Sequence, residues 1–206
     1  MCPTPVWSEG DRYLMQNAPE LAPLIAKYSP CTLQPKAEEE YFTILLSGII
    51  AQQLSPEVSQ QLVNRLTALV GNPITPEAVL AADKQALLAT GISAKKLEYI
   101  QGFAEKIVNG SIDLQALPAM ADNAILKQLL EVHGLGQWTI EMFLLLALCR
   151  PDVSPASDFI YKKQLQKLFQ LPEIPKRGQI NKLTAHWRPW RSLAVWYLWL
   201  QEGEQK

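Results

Sequence analysis

The sequence predicts an all-α protein. Apolar residues recur at i, i+3 and i+4 through most of its 206 positions, the period of a helix with one buried stripe. Helix-start signals punctuate the chain, and most of its fifteen prolines lie beside them. No stretch alternates apolar and polar residues for long enough to build a sheet.

The elements follow in order. Glu39–Leu54 places Phe42, Leu45, Leu46, Ile49 and Ile50 on one stripe. Ser55-Pro56-Glu57 pairs a cap with proline at the first helical position and opens a helix to about Val70. Thr75-Pro76-Glu77 repeats that signal. Ser93 caps a helix over 94–109, which Gly110 ends. Residues 121–132, 138–149, 158–170, 178–186 and 189–202 also read as helices, making roughly ten short ones with short connections.

Composition narrows the class. Almost half the residues are apolar and about a fifth are charged, as in a soluble globular chain. The longest apolar runs, Ile44–Ala51 and Met142–Cys149, are too short to span a bilayer. The start MCPTPVWSEGD lacks the basic and apolar regions of a secretory signal. Cys2, Cys31 and Cys149 are odd in number and far apart, which points to reduced thiols rather than a disulfide frame or a metal knuckle. The formal charge is −1, but its distribution is uneven. Residues 1–60 hold three basic against seven acidic side chains, while 159–191 hold eight basic against Glu173 alone. One phosphate-facing side accounts for such an asymmetry, and so does a solvated helix face.

The most informative stretch is Leu129-Leu130-Glu131-Val132-His133-Gly134-Leu135-Gly136-Gln137-Trp138-Thr139. An apolar helix ends at Gly-x-Gly, and another starts at once. Glycines let the backbone turn tightly, and amides there and at the next helix N-terminus attract an anion. This is the local pattern of a helix–hairpin–helix, which grips the DNA backbone without reading bases, although hairpin turns between ordinary helices also use glycine. Its candidate backbone contacts are Gly134, Gly136, Gln137 and Thr139.

Four stretches together resemble the helix–hairpin–helix superfamily of DNA glycosylases, in the 3-methyladenine DNA glycosylase II branch. They are Gly48-Ile49-Ile50-Ala51-Gln52-Gln53-Leu54-Ser55, Gly91 to Ile100, the hairpin followed by Pro155-Ala156-Ser157-Asp158, and Trp187-Arg188-Pro189-Trp190-Arg191-Ser192. The resemblance runs from about residue 40 to the C-terminus. It implies one glycosylase core of two helical lobes beside a DNA-binding cleft, with about 1–40 plus 150–206 in one lobe and about 41–149 in the other. The N-terminal β-domain of longer bacterial members has no room here.

By the same resemblance Asp158 is the catalytic carboxylate. Cleaving an N-glycosidic bond builds positive charge on the sugar, which a carboxylate stabilises while it orients or deprotonates water. Read locally, Ser157-Asp158 before an apolar-periodic helix is usually just a helix cap, a balance that the upstream hairpin and the resemblance reverse. Glu141, one charge beside an apolar run, is the competing carboxylate. Relatives that also nick the backbone carry a Schiff-base lysine just after the hairpin. Trp138 stands there in this chain, so simple hydrolysis and an abasic product are expected. Three cysteines exclude the four-cysteine iron–sulfur cluster of some relatives.

A base in the duplex must be flipped out to be reached. The resemblance places the wedge at Gln53, although a helix-end amide bonding to its own backbone reads as well. It brings the turn at Ile92 against the opposite strand, with Lys95 and Lys96 near phosphates. Trp138, Phe159, Trp199 and Met142 line the expected base pocket, where aromatic faces attract a cationic purine. Met142 stands where longer members carry an aromatic, which leaves the range of accepted bases open. Trp187, Trp190 and Trp196 read as core or rim. Backbone carbonyls of Leu130, Val132 and Leu135 match those that hold a monovalent cation in the family.

The expected activity is hydrolytic release of alkylated purines of the 3-methyladenine and 7-methylguanine type from double-stranded DNA. The expected protein is a cytoplasmic monomer, nucleoid-associated in a bacterium, with no membrane partner and no cofactor beyond that cation. A non-catalytic DNA-binding module, a same-fold glycosylase for oxidised, deaminated or mismatched bases, and a helical interaction scaffold remain the alternatives.

Overall fold

The computed structural model describes residues 5–203, so Cys2 lies outside the described residues. The described residues form α-helices with short 3-10 turns and no strand, as the apolar periodicity predicts. No helix among them is long and apolar enough to cross a membrane. The chain divides into two compact units.

The first unit, 36–143, carries seven of the α-helices. They are α3 (Tyr41–Ala51), α4 (Pro56–Val70), α5 (Pro76–Ala81), α6 (Lys84–Ala89), α7 (Ala94–Val108), α8 (Asp122–Leu130) and α9 (Gln137–Met142). The start signals act as expected. Ser55, Thr75 and Ser93 each accept a backbone N–H three residues on, and Asp83 does the same for α6, which periodicity alone did not reveal. The α3 stripe of Phe42, Leu45, Leu46, Ile49 and Ile50 is fully buried beside Phe103 of α7. The predicted 39–54 helix is shorter, because Glu38–Glu40 form a 3-10 turn and the helix stops at Ala51.

The second unit combines 5–35 with 144–203. Its helices are α1 (Trp7–Asn17), α2 (Ala22–Tyr28), α10 (Phe159–Leu168), α11 (Arg177–Leu183) and α12 (Arg191–Gly203). Here α12 is the centre, with Leu193, Ala194, Val195, Tyr197 and Leu198 buried. Neither α1 nor α2 was expected. Their burial in the unit rests on few residues (Trp7 and Leu14 in α1, Leu24 and Ile25 in α2), too sparse a stripe to stand out. The Trp7 indole donates to the Leu33 carbonyl at 3.0 Å, and its ring meets Trp190 edge-on. Trp187 is entirely buried, while Trp190 and Trp196 are half-buried.

The expected helix over 138–149 is not uniform. After α9 the backbone widens into a π-helical segment, Phe143–Ala147, and Cys149 adopts φ +51. Cys31 and Cys149 are buried and lie outside any disulfide, and burial pushes the Cys31 thiol up to about 12.

Candidate functional site: a hairpin unit and a carboxylate unit

In the first unit the hairpin stands between α8 and α9, as the Gly-x-Gly spacing predicts. Gly134 has φ +93, and a Cβ there would lie 2.7 Å from the Tyr99 ring. Only glycine meets both demands. The first helical hydrogen bond of α9 runs from Ile140 N–H to Gly136 O, so the amides of Gln137 and Thr139 precede the helical ladder. Gly48 of α3 sets the depth of this seat: a Cβ on it would come within 2.2 Å of Thr139 Cγ2.

That close approach corrects the expected role of Thr139. The residue is 6% exposed and its side chain packs on α3, so its hydroxyl is not presented at the surface of the hairpin. Gln137 is likewise engaged, donating through Nε2 to Glu141 Oε1 at 3.0 Å. Glu141, the competing carboxylate, is therefore buried and paired within its own helix. Trp138 lies in the first turn of α9 and is 42% exposed. Met142 ends that helix and is half-buried.

Two further turns belong to this unit. At the end of α3, Gln53 adopts φ +60 with an exposed side chain, a left-handed conformation that costs a non-glycine residue about 1–2 kcal/mol. Beside it, Gln52 Nε2 donates to the Gly134 carbonyl at 2.7 Å. The Gly91–Ser93 turn is the other, and Ile92 is a second correction. Its side chain is 3% exposed and belongs to the core, so reaching DNA would require leaving that core. Lys95 and Lys96 then diverge. The Lys95 ammonium is exposed, 5.8 Å from the Tyr99 ring centre. Lys96 instead donates to the carbonyls of Ile50 at 2.6 Å and Gln52 at 2.7 Å. Burial pulls its ammonium below the ordinary lysine range.

At the hairpin, the carbonyl of Val132 accepts the Leu135 N–H at 3.1 Å, and Leu130 is the last residue of α8. A carbonyl oxygen has two lone pairs, so this bond leaves Val132 able to take a cation as well. Carbonyl oxygens are hard ligands, unlike the thiolate and imidazole sets that hold zinc, copper or iron. Among the described residues no cluster of His, Cys, Asp and Glu could hold a metal.

The second unit holds Asp158. It is 8% exposed and is the N-cap of α10. Its Oδ1 accepts the Tyr161 backbone N–H at 2.6 Å and the Trp199 indole N–H at 3.2 Å. The structure thus brings together three of the predicted residues: Asp158, Trp199 and the neighbouring Phe159, which is 61% exposed. The helix cap of the local reading is therefore present at Asp158.

Contacts not anticipated from the sequence support this carboxylate. Arg177 Nη2 donates to Ser157 Oγ at 3.2 Å, one residue before Asp158. Buried Tyr161 lies 3.3 Å, hydroxyl to hydroxyl, from Ser154, and burial pushes its phenol up to about 12. The Trp187–Ser192 motif acts on the loop leading to Asp158. Arg191 pairs with Asp152 through Nε and donates to its carbonyl at 2.7 Å, while Ser192 Oγ accepts the Val153 N–H at 2.9 Å. These pairings also correct the charge reading. Arg188 and Arg191 pair with Asp152, and Lys163 and Lys167 pair with Glu202, so half of that basic segment is answered within its own unit.

Residues 46–189 match the model of the HhH-GPD superfamily of base excision DNA repair proteins. A DNA-3-methyladenine glycosylase 1 from Schizosaccharomyces pombe is 30% identical over 189 residues, 90% of this chain and 82% of that protein. The alkylbase DNA glycosidase-like protein mag2 of the same yeast is 27% identical over 197 residues, 94% of this chain and 92% of its own. Among solved structures, an S. pombe 3-methyladenine DNA glycosylase in complex with abasic DNA superposes with a TM-score of 0.76 at 28% identity, covering 93% of this chain and 95% of that one. A match across more than half the sequence, on a helical framework that carries the hairpin, makes this chain a member of the HhH-GPD superfamily of base excision DNA repair proteins.

Proposed function

We infer that the chain is a monofunctional DNA glycosylase that hydrolyses the N-glycosidic bond of alkylated purines in duplex DNA and leaves an abasic site. The observation that supports it most is Asp158, a nearly buried carboxylate with one oxygen anchored by Tyr161 and Trp199, in a family of base excision proteins. Its relatives are named for 3-methyladenine and alkylated bases.

In this reading the hairpin amides from Gly134 to Thr139, with Lys95, hold the sugar–phosphate backbone. A monovalent cation on the carbonyls of Leu130, Val132 and Leu135 would add positive charge at that point. Gln53 fills the gap left by the extruded nucleotide. The residues offered to the base are Trp138 and Met142 in the hairpin unit and Phe159 and Trp199 in the carboxylate unit, the aromatic faces among them favouring a cationic purine. Bond cleavage develops positive charge on the deoxyribose, and the Asp158 carboxylate stabilises it. The carboxylate then orients water for attack and accepts its proton. An alkylated, cationic leaving group departs without a general acid, so one carboxylate suffices. No amine stands at position 138 to attack the sugar, and no lyase step follows.

The test is release of bases from duplexes carrying alkylated, oxidised or deaminated residues. The wild-type protein should release 3-methyladenine or 7-methylguanine, and Asp158→Asn should bind abasic-analogue DNA but release nothing comparable. Equal release by both proteins would overturn the assignment.

A further inference from the structure

The turn that carries Gln53 is held open by residues on two other segments of the same unit. The backbone of α3 ends abruptly: Gln52 leaves the helix at ψ 126, and Gln53 follows in the left-handed region. Apart from Leu54 N–H donating to Ala51 O at 3.1 Å, the ties across this turn come from side chains. The first is Lys96, whose ammonium reaches back from the first turn of α7 to the carbonyls of Ile50 and Gln52. An ammonium at a helix C-terminus meets both the exposed carbonyls and the negative end of the dipole. The second is Gln52, whose amide donates to Gly134 and so ties the turn to the hairpin. Ser93 completes the frame by capping Lys96 N–H at 3.3 Å.

We propose that Lys96 and Gln52 are positioning residues of the wedge. They lock the 52–54 turn to the start of α7 and to the hairpin, so that Gln53 is presented to DNA before binding and not shaped by it. This rests on the reading of Gln53 as wedge given above. Without the two ties, a non-glycine residue at φ +60 relaxes toward ordinary backbone angles, and its side chain leaves the position needed to stabilise an extruded nucleotide. Displacement of about 1 Å in a positioned group costs up to about a hundredfold in rate.

The experiment is a mutant cycle, read by single-turnover release of an alkylated base from duplex DNA and by binding to an abasic-analogue duplex at several salt concentrations. Gln53→Ala should slow base release. Lys96→Met should slow it by about tenfold to a hundredfold, yet by less than about twofold when Gln53 is already alanine. Lys96→Arg, which keeps the donors, should restore most of the loss. The salt slope of binding should be the same for Lys96→Met and wild type, because a lost phosphate contact would lower it by about one. If Lys96→Met does not fold, as judged by its melting transition, Gln52→Ala carries the same cycle through the other tie.

Three results separate the possibilities. Gln53→Ala with wild-type release removes the wedge reading and this inference with it. Gln53→Ala impaired, but Lys96→Met and Gln52→Ala unimpaired or fully additive with it, overturns the inference alone. A reduced salt slope in Lys96→Met also overturns it, by showing that Lys96 serves a phosphate.

Discussion

The indole N–H of Trp199 donates to Oδ1 of Asp158 across 3.2 Å, joining α12 to the N-terminus of α10 inside one unit. Tyr161 N–H meets the same oxygen at 2.6 Å. The carboxylate is therefore held by one rigid helix end and one aromatic side chain, and that support sets its expected sensitivity to mutation.

Asp158→Asn should lower single-turnover base release by about 10²–10³-fold, the scale for removing one electrostatic stabiliser of a transition state. Trp199→Phe keeps an aromatic ring, though a smaller one, and deletes the donor. A hydrogen bond to a charged group contributes about 1.5–3 kcal/mol, so release should fall by about tenfold or more with little change in melting temperature. Wild-type kinetics in Trp199→Phe would show that the indole serves packing alone.

Gly48→Ala should destabilise the first unit, because the added methyl meets Thr139 Cγ2 at 2.2 Å between two buried helices. Overpacking of this kind costs about 1–3 kcal/mol. Thermal denaturation should show the loss, and adding Thr139→Ala, which removes the opposing methyl, should recover much of it.

Gly134→Ala should weaken DNA binding more than it weakens the fold. The residue would hold an alanine at φ +93 with its Cβ against the Tyr99 ring, so the hairpin must shift. Affinity for abasic-analogue DNA reports that shift directly, and unchanged affinity would contradict a backbone role for this turn.

Lys95→Ala should weaken DNA binding uniformly across sequences and reduce the salt slope by about one, the signature of a single phosphate contact. Titrations at several salt concentrations test this, and the contrast with Lys96 makes the result specific.

Stability should depend on pH through Glu20. Burial alone would raise its pKa, but hydrogen bonds from Trp187 at 2.7 Å and His186 at 2.6 Å outweigh it and hold the carboxyl below its usual 4.5. A depressed folded value means that the unfolded chain binds the proton more tightly. Glu20 thus contributes stability above the unfolded value, and the contribution is lost as pH falls through the lower folded one. Asp11 behaves oppositely: burial outweighs its bond from Tyr197 and raises it, so its contribution is present in acid and fades as pH rises through that higher value. Denaturant midpoints of Glu20→Gln and Asp11→Asn against wild type should diverge in opposite directions across that range.

Much of this molecule is written in local sequence. The caps at Ser55, Thr75 and Ser93, the stripe along α3, and the Gly-x-Gly break before α9 are short-range physics. A hydroxyl reaches a backbone N–H three residues away, and apolar side chains every three or four positions share a face whatever the rest of the chain does. The hairpin and the capping position of Asp158 were legible for that reason, as was the family resemblance.

Pairing across distance was not legible. Lys95 and Lys96 are chemically alike and adjacent, yet one helical step of about 100° sends the first outward over Tyr99 and the second back to the end of α3. Ile92 looks like any turn residue until the packing buries it, and the surplus of cations after residue 159 looks open until Asp152 and Glu202 answer half of them. Such outcomes depend on which surfaces the folded chain brings within a few ångströms of each other, a property of the whole packing that no local pattern contains.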